Sequence, residues 1–153
     1  MVPLCSFGEY VRKHSPWTDF IDLPLTTNLK FTHFPTTPGG FAHLPTLSFV
    51  IPNLLDDMHD GTVQQADTWL RDHLDAYVQW AKTHNSLLIV TWDEDDDSMN
   101  NQIPTLFAGA HVVPGNYPER IDHYSVLRTI EDAYGLGHLG NSATATPITD
   151  VWN

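Results

Sequence analysis

The chain has little of what several functional classes need. It holds one cysteine, Cys5, so an internal disulfide is excluded. Seven basic residues stand against nineteen acidic ones, a formal net charge of −12. Nucleic-acid binding and adhesion to anionic lipid both require clustered Lys and Arg, and this balance argues against each. No apolar run approaches the ~20 residues of a membrane span. The start Met1-Val2-Pro3-Leu4-Cys5-Ser6 lacks the basic region and long apolar core of a secretion signal. Walker A, Gly-x-Gly-x-x-Gly and Gly-x-Ser-x-Gly patterns are all missing, and Cys5 has no sequence context for a nucleophile.

What is present suits one globular domain over residues 1–153. The hydrophobic fraction is 41%, with five tryptophans and nine histidines, and the length supports a core. Residues 6–13 suit a short helix that must stop before Pro16, because the residue preceding proline avoids the α region. Residues 14–46 are rich in proline and read as irregular. Leu47-Ser48-Phe49-Val50-Ile51 is a candidate buried strand, closed by Pro52-Asn53. Thr62 and Gln65 form a capping-box pattern that opens a helix running to about His84. Leu70, Leu74, Tyr77, Val78 and Ala81 recur along it at helical spacing, with Trp69 and Trp80 flanking that face as packing residues. Asn85 is its stop signal.

Leu87-Leu88-Ile89-Val90-Thr91-Trp92 then reads as a strand covered on both faces. Strand, helix and strand in this order predict a βαβ unit with parallel strands and a right-handed crossover. Ile103–Ala108 is a third strand candidate, with Pro104 suggesting an edge. Asp122 can cap a last helix whose buried stripe is Val126, Leu127, Ile130 and Tyr134, ended by Gly135. The tail from Gly137 is small and polar and is expected on the surface.

The strand at 87–92 runs straight into Asp93-Glu94-Asp95-Asp96-Asp97. Adjacent carboxylates repel one another, which a nearby cation would relieve. Ligands of open α/β sheets bind beyond the carboxyl ends of strands, where Asp93 and Glu94 stand. These two are the candidate ligands of a divalent metal cation; the competing reading is a solvated acidic loop. An EF-hand fails, because Ser98 occupies the glycine place and Pro104 the glutamate place. Two further groups fall at loop positions of the same sheet: Asp57-Met58-His59-Asp60, and His123 in the first turn of the last helix. A hard cation takes carboxylate oxygens, while histidines can hold a phosphoryl oxygen.

Several ordered stretches resemble the bacterial phosphoesterase family, which comprises acid phosphatases and phosphatidylcholine-type phospholipases C within the alkaline-phosphatase-like superfamily. They are Lys13-His14-Ser15-Pro16, Pro45 to Asn53, Asp57 to Asp60, Asp67-Thr68-Trp69-Leu70, Thr91 to Asp96, Asn101-Gln102-Ile103, Pro114-Gly115 and His123 to Glu131. The acid phosphatase branch is the nearer in style. The resemblance implies a partial alkaline-phosphatase-like α/β sandwich, a mostly parallel sheet flanked by helices. It also implies a phosphate ester substrate, Asp93 and Glu94 as metal ligands, and His59 and His123 as catalytic histidines contacting the phosphoryl group. Lys13 and His14 are expected near the pocket without being ligands, and Asp57 and Asp60 as turn and capping residues. His43, His73, His84, His111 and His138 are taken as structural or surface.

The family's serine or threonine nucleophile and its other metal ligands lie upstream of everything matched. The chain thus resembles the carboxy-terminal half of a phosphoesterase domain, with a missing N-terminal half or a homo-oligomer as the implied partner. Members of the family are often secreted or periplasmic. The alternative is a non-catalytic remnant or assembly module of the same fold that binds a partner chain through surface left bare.

Overall fold

A computed structural model describes residues 6–153; Cys5 and the start of the chain lie outside the described residues. The architecture is mixed α/β, with helices α1 (Pro38–Phe41), α2 (Val63–Ala81) and α3 (His123–Ala133) and strands β1 (Leu87–Thr91) and β2 (Thr105–Gly109). The chain groups into two compact units, Met1–His84 and Asn85–Asn153. Among the described residues, no helix is long and apolar enough to cross a membrane.

In the first unit, α2 begins as its sequence dictates. Thr62 Oγ1 accepts the Gln65 N–H (3.2 Å) and Gln65 Oε1 accepts the Thr62 N–H (3.1 Å), satisfying two donors that helix geometry would otherwise leave unpaired. The helix ends before Asn85, whose φ of 45° is the left-handed conformation asparagine tolerates. Leu74 and Ala81 are buried with Phe41 of α1. Around them lies an aromatic layer: Phe41 sits 5.5 Å from Tyr77 and 5.8 Å from Trp80, and Phe31 sits 5.0 Å from Trp69. His73 and His84 stack on Trp69 and Trp80 one turn earlier, at 4.8 and 4.5 Å between ring centroids. The spacing i, i+4 places them there. Before α1 the backbone includes a series of short 3₁₀ turns, and of the expected helix at 6–13 only Arg12 and Lys13 are helical, in the turn Arg12–His14.

The second unit corrects the expected sheet. Its two strands pair antiparallel, with Leu87 opposite Gly109 and Thr91 opposite Thr105, and the Thr91 and Thr105 hydroxyls meet across the pair at 3.1 Å. The connection 92–104 contains no helix, and such a link returns the chain antiparallel, whereas a parallel pair needs a crossover. Glycine is required at 109, since a Cβ there would collide with the Ser86 carbonyl. Leu47–Ile51 forms no strand: Leu47 is 49%, Phe49 59% and Ile51 38% exposed. The parallel βαβ unit is therefore not formed by these elements.

The tail is also more than a surface segment. Ile148 and Val151 are buried, and Ser142 is fully so. The α3 side chains hold it. Ser142 Oγ lies 2.6 Å from Glu131 Oε2, the Leu139 N–H donates to Glu131 Oε1 (3.0 Å), and the Ile148 N–H donates to Thr129 Oγ1 (2.8 Å). A buried carboxylate is tolerable only with such donors. Residues 112 and 152 bridge antiparallel, which brings Trp152 edge-on to Phe107 of β2 at 5.5 Å.

Candidate functional site

The expected site residues fall into the two units, and each group has its own geometry. In the second unit, Asp93 and Glu94 follow β1 and both are exposed. They line an open hollow of about 430 Å³ together with Asp95, Asp97, Asn100 and Asn101. His123 is the first residue of α3, and its Nε2–H donates to the Asp93 carbonyl oxygen at 3.0 Å. The Asp122 cap fixes that first turn: Asp122 Oδ1 accepts the Ser125 N–H (2.9 Å). A donor at Nε2 leaves Nδ1 as the atom on which a second proton would sit. The sequence reading places Asp93, Glu94, His59 and His123 in one site; within the second unit His123 meets the backbone carbonyl of Asp93.

The five acids are not equivalent. Asp95 is spent on its own loop. Its carboxylate accepts the N–H groups of Met99 (2.7 Å), Asp97 (2.9 Å) and Asn101 (3.0 Å), while Asn101 Oδ1 returns a bond to the Asp95 N–H (2.9 Å). The Met99 N–H foremost, with those of Asp97 and Asn101, holds the Asp95 carboxyl below the usual carboxylate range. Asp97, Asn100 and Asn101 take positive φ to make the reversal, a conformation Asp and Asn adopt at low cost. The result presents Asp93 and Glu94 from a loop that is clamped behind them.

Those two carboxylates are a partial fit for a divalent cation. Among the described residues, no three His, Cys, Asp or Glu side chains gather to hold a metal ion. Six or more oxygens surround a hard cation, and two carboxylates leave most of that sphere to other ligands.

In the first unit a second cluster forms around the loop 57–60. Backbone and side-chain bonds to Glu9 tie the early segment to it: the Leu54 N–H donates to the Glu9 carbonyl (3.1 Å) and Asn53 Nδ2 to Glu9 Oε2 (3.0 Å). Lys13 and His14 are thereby set beside His59. Lys13 Nζ is 3.4 Å from His59 Nε2, His59 Nδ1 is 3.0 Å from Asp60 Oδ1, and His14 Nδ1 is 3.1 Å from Asp57 Oδ2. The two imidazole rings stand 5.4 Å apart. The sequence reading expects Lys13 and His14 near the pocket without being ligands, and Asp57 as a turn residue rather than a site residue. Their closeness to His59 arises from a contact across 43 positions, which no local pattern contains. The one available signal was the Lys13-His14-Ser15-Pro16 segment.

The molecule is thus a mixed α/β protein in which carboxylates and imidazoles stand at loop ends of each unit. Residues 1–137 match the model of the phosphoesterase family, and the chain belongs to that family. It is 57% identical over 149 residues to a phosphatidylinositol-3-phosphatase of Mycobacterium tuberculosis, covering 97% of this chain and 50% of that protein. It is 30% identical to a probable acid phosphatase of Kluyveromyces lactis (94% and 39%) and 28% identical to an acid phosphatase of Aspergillus fumigatus (94% and 34%). The chain spans half or less of the length of these curated relatives. No solved structure matches it.

Proposed function

We propose that the chain is part of a metal-dependent phosphoric ester hydrolase of the acid-phosphatase kind. One observation carries the reading. The hydrogen bond from His123 to the Asp93 carbonyl joins an imidazole at a helix start to the backbone of a carboxylate pair, across 30 positions of sequence. Carboxylates that bind a cation beside an imidazole that meets a phosphoryl oxygen are what phosphoester hydrolysis uses. In this reading Asp93 and Glu94 are two ligands of a divalent cation, whose charge would offset that of the phosphoryl group. His59 and His123 contact phosphoryl oxygens and help protonate the leaving oxygen; in His123 the Nδ1 position is the one available for that proton. In this reading the nucleophile and the remaining ligands would come from a further segment or a partner chain, within the sandwich of the alkaline-phosphatase type that the family resemblance implies.

The relatives' names support a phosphomonoester substrate over the phosphodiester of a phospholipase C, with an inositol-lipid phosphate among the substrates to assay. The test is release of phosphate from a chromogenic phosphomonoester, with and without divalent cation. The chain is assayed alone and joined to the further sequence its relatives carry. The joined form should hydrolyse in a cation-dependent way, and His59→Ala and His123→Ala should each lower kcat about 10²-fold or more, the size of a general acid–base contribution. An inactive joined form would overturn the reading.

A further inference from the structure

Leu47–Ile51 is bare in its backbone as well as in its side chains. Among the described residues, none makes a hydrogen bond with the N–H or C=O groups of residues 47–51. Five consecutive residues thus leave their donors and acceptors to solvent, between Pro45 and Pro52, which have no N–H of their own. Leu, Phe, Val and Ile suit a strand, and in a strand Leu47, Phe49 and Ile51 share one face. Trp17 meets Phe49 edge-on, with ring centroids 6.1 Å apart, which anchors the segment at its middle side chain. Phe20 and Ile21, shortly after that tryptophan, are exposed too. Proteins blunt an edge that is to stay free with lysine, another charge or a proline inside it. Residues 47–51 contain none of these. An unblunted apolar edge marks a place for pairing rather than a boundary with water.

Two observations bear on what pairs there. The relative at 57% identity is about twice as long as the region matched, since this chain covers 50% of it. A net charge of −12 sets two copies of the chain against each other, and sets the chain against anionic lipid. We propose that Leu47–Ile51 is an open strand edge whose occupant is a β-strand of the further phosphoesterase sequence that such relatives carry. Main-chain hydrogen bonds hold the pair, and Leu47, Phe49 and Ile51 leave water with it. This rests on the reading of the chain as part of a phosphoric ester hydrolase.

The experiment is residue-resolved amide hydrogen exchange on the 153-residue chain alone and on the form joined to the further sequence its relatives carry. Alone, residues 47–51 should exchange at nearly the rate of an unstructured chain. In the joined form alternate amides among them should slow by about 10²-fold or more, the pattern a single pairing strand leaves. Ser48→Pro and Phe49→Pro remove N–H groups that point to opposite edges, at two positions exposed in this structure. At least one of them should lower the remaining protection in the joined form about tenfold, and both should leave the melting temperature of the 153-residue chain where it is.

Unslowed exchange at 47–51 in the joined form overturns the proposal, and this comparison needs no variant. Protection already present in the 153-residue chain overturns it as well: in a dimer by sedimentation, a second copy is the occupant, and in a monomer the edge is already covered. Protection gained by that chain on phosphatidylcholine vesicles would assign the segment to lipid and likewise overturn it. Hydrolysis by a joined form with 47–51 unprotected sinks this inference and leaves the phosphatase reading standing. Protection at 47–51 in an inactive joined form does the reverse, and a joined form neither active nor protected overturns both.

Discussion

Asp95 shows how one residue in a run of like residues is set apart by what its neighbours' backbones do. Three N–H donors converge on it, with Met99 the strongest, and its carboxyl is held below the usual range. The sign of the pH effect follows. A carboxyl with a depressed folded-state pKa stabilises its loop fully above the ordinary aspartate value of about 3.9, and that contribution is lost as pH falls through the lower folded-state value. Amide exchange at Met99 and Asn101 should therefore stay protected at pH 5 and rise below pH ~4. Asp95→Ala should show fast exchange at both pH values. Protection in the variant would mean that Asn101 and the turn hold the loop without the carboxylate. Gly61 is a second case. A Cβ there would collide with the Leu55 carbonyl, which belongs to the backbone and cannot swing away. Gly61→Ala should cost about 1–3 kcal/mol in urea unfolding and disturb the His59 loop beside it. The sequence run Asp57-Met58-His59-Asp60 marked that loop as worth inspection, but the need for glycine at its end comes from a backbone approach across the turn.

Among the elements, those bounded by short-range chemistry were legible and those defined by distant partners were not. The capping boxes at Thr62 and Asp122 involve residues three positions apart, and both helices begin where those patterns place them. The run at 87–91 was legible as a strand from composition alone. Its direction of pairing was not, because it depends on its partner β2 and on a connection, 92–104, that forms no helix, where a parallel sheet was expected. Leu47–Ile51 is largely apolar like β1 and yet forms no strand, since pairing depends on a neighbouring backbone rather than on its own side chains. The Asp122 cap joins structure to site, because the residue it precedes is His123. Asp122→Ala should destabilise by about 1 kcal/mol in a chemical melt, the ordinary worth of an N-cap. It should also loosen the His123 bond to the Asp93 carbonyl, read as a change in the His123 ring shifts. A melt shift with unmoved ring shifts would assign the cap to α3 alone.

For the whole molecule, the governing quantity is charge. Nineteen acidic residues against seven basic ones leave a net −12, and five of the acids stand in a row after β1. Such a chain gains stability from any cation by screening, which acts over roughly 10 Å at 0.1 M salt and does not distinguish one acidic patch from another. Specific binding differs in two ways. It saturates, and it depends on named side chains. With only two carboxylates from this chain, affinity should fall in the weak range of about 10⁻⁴–10⁻³ M. Millimolar divalent cation should then raise the melting temperature by a few degrees above sodium chloride of equal ionic strength, following RT ln(1 + [L]/Kd). Asp93→Asn with Glu94→Gln should abolish the excess while keeping the sodium effect. Asp96→Asn with Asp97→Asn removes the same charge from the same run and should leave the excess intact. Charge removal is thereby matched between the two double variants, so any difference in divalent response belongs to the geometry of Asp93 and Glu94. Equal responses would identify the acidic run as a diffuse counterion patch, and the metal would have to be held by other residues.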